Sequence, residues 1–416
     1  MRDSPKRLLM LVPSRSYRSD AFAQVAARLG IEVVYAVDMP PALGALYHLP
    51  LAVEFADVDG ATATILDYLA DQPPLDGLLA VDDGGTLLAA HVGAALGLAH
   101  NAPLAADAAR NKFRMRRALT AAGLRQPWFR YIGAAESLAG WANDLDYPLV
   151  VKPLLLSGSR GVMRADGPEA FVRAATRLRE MLPKTGDADA RAILIEEYLP
   201  GDEVALDGLM IDGELSLLAL FDKPDPLVGP FFEETIYTTP SRWPSATQQR
   251  LVRETARAAR ALGLRHGPVH AELRFTEDAE WLIEIAGRSI GGLCGSILEF
   301  GTNICLEELI LRHAVGLPLP PLEQAEGAAG VMMIPIPKRG TLRAVHGVAA
   351  AEAVPSVTSI QISAPLDYPL VPLPEGESYL GFIFARAKEG ATVEAALREA
   401  HGCLSLEIED SLRVLR

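Results

Sequence analysis

A chain of 416 residues, half of them apolar, is long enough for two to four domains and needs no disulfide framework to bury their cores. Its formal net charge of −14 disfavours a nucleic-acid partner, and no apolar run approaches the length of a membrane span, so neither nucleic acid nor membrane is expected. Cys294, Cys305 and Cys403 are scattered without metal or disulfide spacing, which points to reduced thiols in a cytoplasmic protein.

The first hundred residues alternate strand and helix. RLLMLV is a short apolar strand, too short for a signal peptide. Residues 19–29 predict an alanine-rich helix, IEVVYAV a second strand, and LLAVDDGG a buried strand that opens into a loop before a helix ending at Leu96. This pattern predicts a Rossmann-like α/β domain over residues 1–105. The ends of parallel strands build ligand crevices, which makes Asp82 and Asp83 site candidates, with solvated helix caps as an equal alternative. The loop VPSRSYRSDAF lacks the glycine fingerprint of dinucleotide sites, so NAD chemistry has weak support. Arg15 and Arg18 in that loop are candidates for an anionic substrate, and surface roles are equally open.

Residues 106–125 read as one helical unit in which Lys112 stands beside three arginines, by composition a solvated basic face. PLVVKP is a strand that delivers Lys152 to a defined point. The following loop, 154–162, offers Ser157, Gly158, Ser159 and Gly161, small residues that can fold over an oxyanion. In FDKPDPLVGPFFEETIY, Lys223 suits a carboxylate or phosphate and Glu233 or Glu234 suits an amine. An exposed interdomain loop is the alternative. A helix from Ala246 to Leu262 precedes VHAE and WLIEIAGR, which predict a hairpin bringing Glu272 and Glu284 to one face. Burying both carboxylates is costly without a cation; magnesium, which prefers oxygen ligands, would compensate them, and so would salt bridges to Arg274 and Arg288. His270 shares the face of Glu272 and is a candidate substrate contact. Arg288, ahead of the SIGG turn, can hold the equatorial oxygens of a phosphoryl group.

In their order and separation, Lys112, PLVVKP, the small-residue loop, IEEYLPGDE, VHAE and IEIAGR resemble the motifs of the ATP-grasp carboxylate-amine ligases. The similarity covers nearly the whole chain. It implies a multidomain α/β and α+β fold of the ATP-grasp type, with a lid and linking helices at 106–190, a catalytic subdomain at 191–318 and an appended α+β domain at 319–416. It also implies ATP and Mg2+ as cofactors. Lys112 and Lys152 would contact the phosphates beneath a loop closing from Ser157 to Gly161. Glu196, Glu197 and Leu199 would line the adenine edge and Glu203 would bind the ribose. Glu272 and Glu284 would hold magnesium, and Arg288 would stabilise the moving phosphoryl group. Lys152, His270 and Arg288 are thus the catalytic candidates, while Lys223, Glu233, Glu234, His270 and Arg288 are the substrate-binding ones.

One departure is Ala286, where many members carry an asparagine that serves a second metal ion. Alanine offers no ligand, so either Glu284 bridges two ions with waters or metal use is altered. YLGFIFARA, followed by LREAHGCLSLEI, resembles the C-terminal domain of the L-amino acid ligases, in which Gly381 and Arg386 would be structural or interface residues. The implied activity is activation of a small-molecule carboxylate as an acyl phosphate and its capture by an amine, with amino acids as one substrate class. An ATP-grasp carboxylase or phosphotransfer enzyme and a non-catalytic nucleotide-binding regulator are the alternatives. A homodimer is open.

Overall fold

The computed structural model describes residues 5–14, 16, 18–184, 187–301, 303–376 and 378–410, so Arg15 lies outside the described residues. Its N-terminal sheet is parallel, in the order Ala52–Val53, Glu32–Asp38, Arg7–Pro13, Gly77–Ala80. The central strand is apolar without alternation, and Leu8, Leu9, Met10 and Leu11 are all buried, because helices cover both faces of a parallel sheet. The last of these strands opens directly into the helix Asp83–Leu96, which places Asp82 and Asp83 at the carboxyl edge of the sheet.

A second, antiparallel sheet has the order Phe129–Ile132, Ile193–Glu197, Leu149–Pro153, Met163–Ala165. The helix Pro168–Met181 packs on it through Phe171, Ala174, Ala175 and Leu178, the 3–4 spacing of one helical face. The largest sheet runs Glu280–Ala286, Gly267–Phe275, Asp202–Ile211, Glu214–Asp222, Ile236–Thr239, Ala328–Ile334, Gly381–Ala387, Val357–Ile362. Strands from beyond residue 319 therefore extend the sheet that carries the hairpin of Glu272 and Glu284. Gly381 sits where an added Cβ would lie 2.4 Å from the Gln361 carbonyl oxygen, which leaves glycine as the residue that fits. Arg386 reaches back to donate to the Ile297 carbonyl at 2.9 Å. Among the described residues no helix is long and apolar enough to cross a membrane.

The single helical unit expected over 106–125 is two helices, Pro103–Arg110 and Lys112–Ala121. Asn111 between them is extended, and its side chain accepts from the backbone N–H groups of Phe113 and Arg114, so a capping residue starts a new helix. The expected solvated basic face is also corrected. Lys112, Met115, Arg116 and Leu119 form the buried face of the second helix, and Arg116 is fully buried.

Candidate functional site

The site is built on one face of three adjacent strands. Residues alternate across a strand, so Val204, Leu206, Val269, Ala271 and Leu273 enter a core on one side. Glu203, Asp207, His270, Glu272 and Arg274 fall on the other. Register then pairs Arg274 with Glu203, His270 with Asp207, and Glu272 with Glu284. Above this charged face lies an open cleft, walled by the 154–162 loop and the smaller antiparallel sheet.

At one end of the cleft, Glu196 is surrounded by cations. Arg116 donates from Nε at 2.7 Å and Nη2 at 3.1 Å, and Lys152 Nζ donates at 2.7 Å. Arg116 also binds the Leu282 and Ile283 carbonyls, which ties its helix to the hairpin of Glu272 and Glu284. Burial alone would raise the Glu196 pKa, but Arg116 and Lys152 bring it down to about 2. Burial, with Arg116 nearby, lowers the pKa of Lys152 despite the attraction of Glu196. Lys112 donates to the Leu156 carbonyl at 2.8 Å and to Glu284 at 3.1 Å, so it joins the loop above the cleft to the hairpin below. Within that loop Gly161 has a φ of +74°, and an added Cβ would press on Leu178 at 2.8 Å.

At the other end the polarity reverses. Lys223 Nζ lies 2.8 Å from Glu203, 2.6 Å from Glu234 and 3.5 Å from Glu272. Burial opposes the lysine charge, yet the three carboxylates raise its pKa well above the usual value. Glu272 titrates low although burial works against it, because Lys223 and His270 face it. His270 Nδ1 is 2.8 Å from Asp207, and its Nε2 is 3.5 Å from Glu272. Burial disfavours its charge, but these bonds outweigh burial and lift its pKa to about 9. Among the described residues, the carboxylates whose oxygens approach within 4.8 Å of one another are Glu203, Glu234 and Glu272. Lys223 lies among the three carboxylates, Arg274 pairs with Glu203 and His270 faces Glu272, and the all-oxygen donor set of the trio suits a hard divalent cation such as magnesium. Glu284 stands outside this trio, opposite Glu272 in register and paired to Lys112.

Salt bridging of Glu272 and Glu284 by Arg274 and Arg288 does not occur. Arg274 instead binds Glu203 at 2.8 Å and the Leu199 carbonyl at 2.6 Å, because it faces the neighbouring strand rather than the hairpin. Arg288 donates to Asp83 at 3.0 Å, and that pairing raises the guanidinium pKa against the effect of burial. Asp83 is therefore no solvated cap.

Lys112, Lys152, Ser157, Gly158, Ser159, Glu196, Glu197, Leu199, Glu203, Glu234, His270, Glu272, Glu284 and Arg288 all line the cleft, as does Ala286. Gly161, Lys223 and Glu233 do not. Gly161 turns its N–H to the Pro374 carbonyl at 2.9 Å, and Lys223 is buried behind its carboxylates rather than open to a substrate. Glu233 alternates away from Glu234, and burial raises its pKa. Arg116, Asp207 and Arg274 were missed as site residues. Arg116 is four residues after Lys112 on one helical face, and Asp207 and Arg274 follow Glu203 and Glu272 at strand spacing, so periodicity held all three signals.

A family model of the ATP-grasp domain matches residues 145–297, and one of the L-amino acid ligase C-terminal domain 2 matches residues 332–409. Alanine–anticapsin ligase of Bacillus subtilis is 30% identical over 252 residues, which cover 55% of this chain and 52% of that protein. Dapdiamide A synthase of Enterobacter agglomerans is 28% identical over 245 residues, 58% of this chain and 57% of that protein. The chain spans about half the length of these curated relatives. The crystal structure of an L-amino acid ligase from Bacillus licheniformis superposes with a TM-score of 0.78 at 26% identity, covering 97% of this chain and 99% of that one.

Proposed function

We propose, for a chain that belongs to the ATP-grasp carboxylate-amine ligases and ends in a domain of the L-amino acid ligase type, an ADP-forming reaction that joins the carboxylate of one amino acid to the amine of another. The observation that carries this reading is the reversed polarity within one cleft. The cations Lys112, Lys152 and Arg116 suit the phosphates of ATP, and the carboxylates clustered around Lys223 suit magnesium and an ammonium group.

In this scheme Lys112 and Lys152 hold the phosphates while the loop from Ser157 to Gly161 excludes water. Exclusion matters because an acyl phosphate is prone to hydrolysis. Glu196 keeps Lys152 and Arg116 in place rather than touching adenine, and Glu197 and Leu199 border the base. Glu203 takes the ribose hydroxyls. Glu272 would hold magnesium together with Glu284, opposite it in register, and with Glu234, which groups with Glu272, while Glu203, the third member of that group, is left to the ribose. Bound there, the metal neutralises phosphate charge as the γ-phosphoryl group transfers.

The substrate carboxylate oxygen attacks the γ-phosphorus, the bond to the bridging oxygen of ADP breaks, and an acyl phosphate forms. Arg288 leaves Asp83 to follow the equatorial oxygens through that step. A neutral amine then attacks the acyl carbon, loses a proton, and expels phosphate to leave an amide. Glu234, which lines the cleft, would receive the ammonium group, and His270 would hold Glu272 in place.

Incubation with ATP, Mg2+ and pooled amino acids, followed by mass spectrometry, tests the scheme. ADP together with a mass equal to two acids minus water supports it. ADP formation that depends on bicarbonate and gives no amide would replace it with a carboxylase.

A further inference from the structure

Resting on the ligase reading above, we propose that Arg18 and Asp207 are positioning residues that hold the two successive peptide groups flanking Ile290 and thereby fix the Arg288 turn and the His270 ring together. The Ile290 N–H donates to both carboxylate oxygens of Asp207, each at 3.1 Å. Arg18 Nη1 donates to the Ile290 carbonyl at 3.1 Å. Asp207 Oδ1 is also the partner of His270 Nδ1 at 2.8 Å. One carboxylate thus sets the orientation of a ring in the cleft and the path of the backbone two residues after Arg288.

Arg18, Asp207 and Ile290 are 3%, 1% and 2% exposed, and none of the three lines the cleft. They can act on bound ligands only through Arg288 and His270. The turn they hold has little stiffness of its own, since Gly291 and Gly292 follow Ile290 and Gly292 has a φ of +59°. A purely packing role accounts poorly for the arrangement. Burying an arginine and an aspartate costs more than an apolar pair of the same volume, and Arg18 keeps its Nη2 without a hydrogen-bond partner, with Glu307 3.6 Å away. Arg18 belongs to the loop after the first strand, and Asp83, which binds Arg288, to the first turn of the helix that follows the fourth. The N-terminal domain therefore grips the phosphoryl-handling turn at two points.

Two variants separate positioning from packing. Asp207→Asn keeps the shape and removes the charge. Arg18→Met keeps the contact with Phe22 and removes the donors. Each is expected to lower kcat for ADP formation about a hundredfold, the scale of a small misplacement of a reacting group, with the KM for ATP unchanged. The double variant is expected to be no worse than the poorer single one, because both break one clamp.

Amide hydrogen exchange at Ile290, measured without nucleotide, is expected to be slow in the wild type and at least about tenfold faster in either variant. A folded variant with wild-type kcat, or an Ile290 amide that exchanges as fast as open backbone in the wild type, overturns the proposal. If Asp207→Asn does not fold, Arg18→Met decides alone. If the wild-type protein condenses no acid with any amine, the ligase reading fails, and the exchange comparison still decides the clamp.

Discussion

At one end of the cleft a single carboxylate, Glu196, serves two cations, Arg116 and Lys152; at the other a single ammonium, Lys223, serves the carboxylates of Glu203, Glu234 and Glu272. Both clusters are held largely away from water, where an uncompensated charge is expensive. In the second, Arg274 on Glu203 and His270 beside Glu272 add to the counter-charge of Lys223. Under the proposed reaction the difference in sign would sort ligands, with anionic phosphates joining the first cluster and a divalent cation or an ammonium group the second. Lys112 links the two, with its ammonium on Glu284 and on the loop above the phosphates.

The largest effect is expected where the two ends meet. Arg288→Ala should reduce kcat for ADP formation about a thousandfold, as loss of a charge-stabilising donor does, while equilibrium binding of ATP stays near the wild-type value. A parallel loss of ATP affinity would place Arg288 with the ground-state phosphate ligands instead.

Glu196→Gln breaks the cationic end. It leaves Arg116 and Lys152 without their shared partner and should cost about 3–5 kcal/mol of stability, read from denaturant midpoints. The pH dependence has a fixed sign. Glu196 titrates near 2 in the folded protein, below its unfolded value of 4.5, so its contribution is complete above pH 4.5 and is lost as pH falls towards 2. The glutamine variant should lack that part of the acid limb.

At the anionic end, Glu272→Gln should raise the Mg2+ concentration for half-maximal ADP formation by at least about tenfold. The same change at Glu196 should leave the Mg2+ requirement alone, and equal shifts in both variants would erase the distinction between the ends.

The smallest effect concerns the loop above the phosphates. Arg177 holds Glu375 through two hydrogen bonds of 2.6 and 2.9 Å, next to the Gly161–Pro374 backbone bond. The ion pair is solvent-exposed, so Glu375→Ala should cost at most about 1 kcal/mol. Its expected signature is faster nucleotide release in a stopped-flow chase, with thermal stability nearly unchanged.

Much of this was legible before the structure. The hairpin register of Glu272 and Glu284 follows from apolar residues flanking a short turn, and the strand delivering Lys152 follows from PLVVKP. Partnerships between distant segments were not legible. Nothing local tells that Arg116 meets Glu196, that Asp83 meets Arg288, or that Lys223 is enclosed by carboxylates from two strands and a loop. Composition misled at Lys112, because a basic helix face looks solvated until a carboxylate-rich sheet is known to lie beneath it. The break at Asn111 was missed because its cap lies inside an otherwise helical pattern.

The central claim is that the two ends cooperate to transfer the γ-phosphoryl group onto a carboxylate, and oxygen tracing tests it most directly. Amino acids labelled with 18O in the carboxyl group would be incubated with the protein, ATP and Mg2+, and the released phosphate analysed by mass spectrometry. The account predicts one 18O atom transferred to inorganic phosphate for each amide formed, with ADP as the nucleotide product. Unlabelled phosphate accompanying amide formation, or AMP in place of ADP, would contradict it.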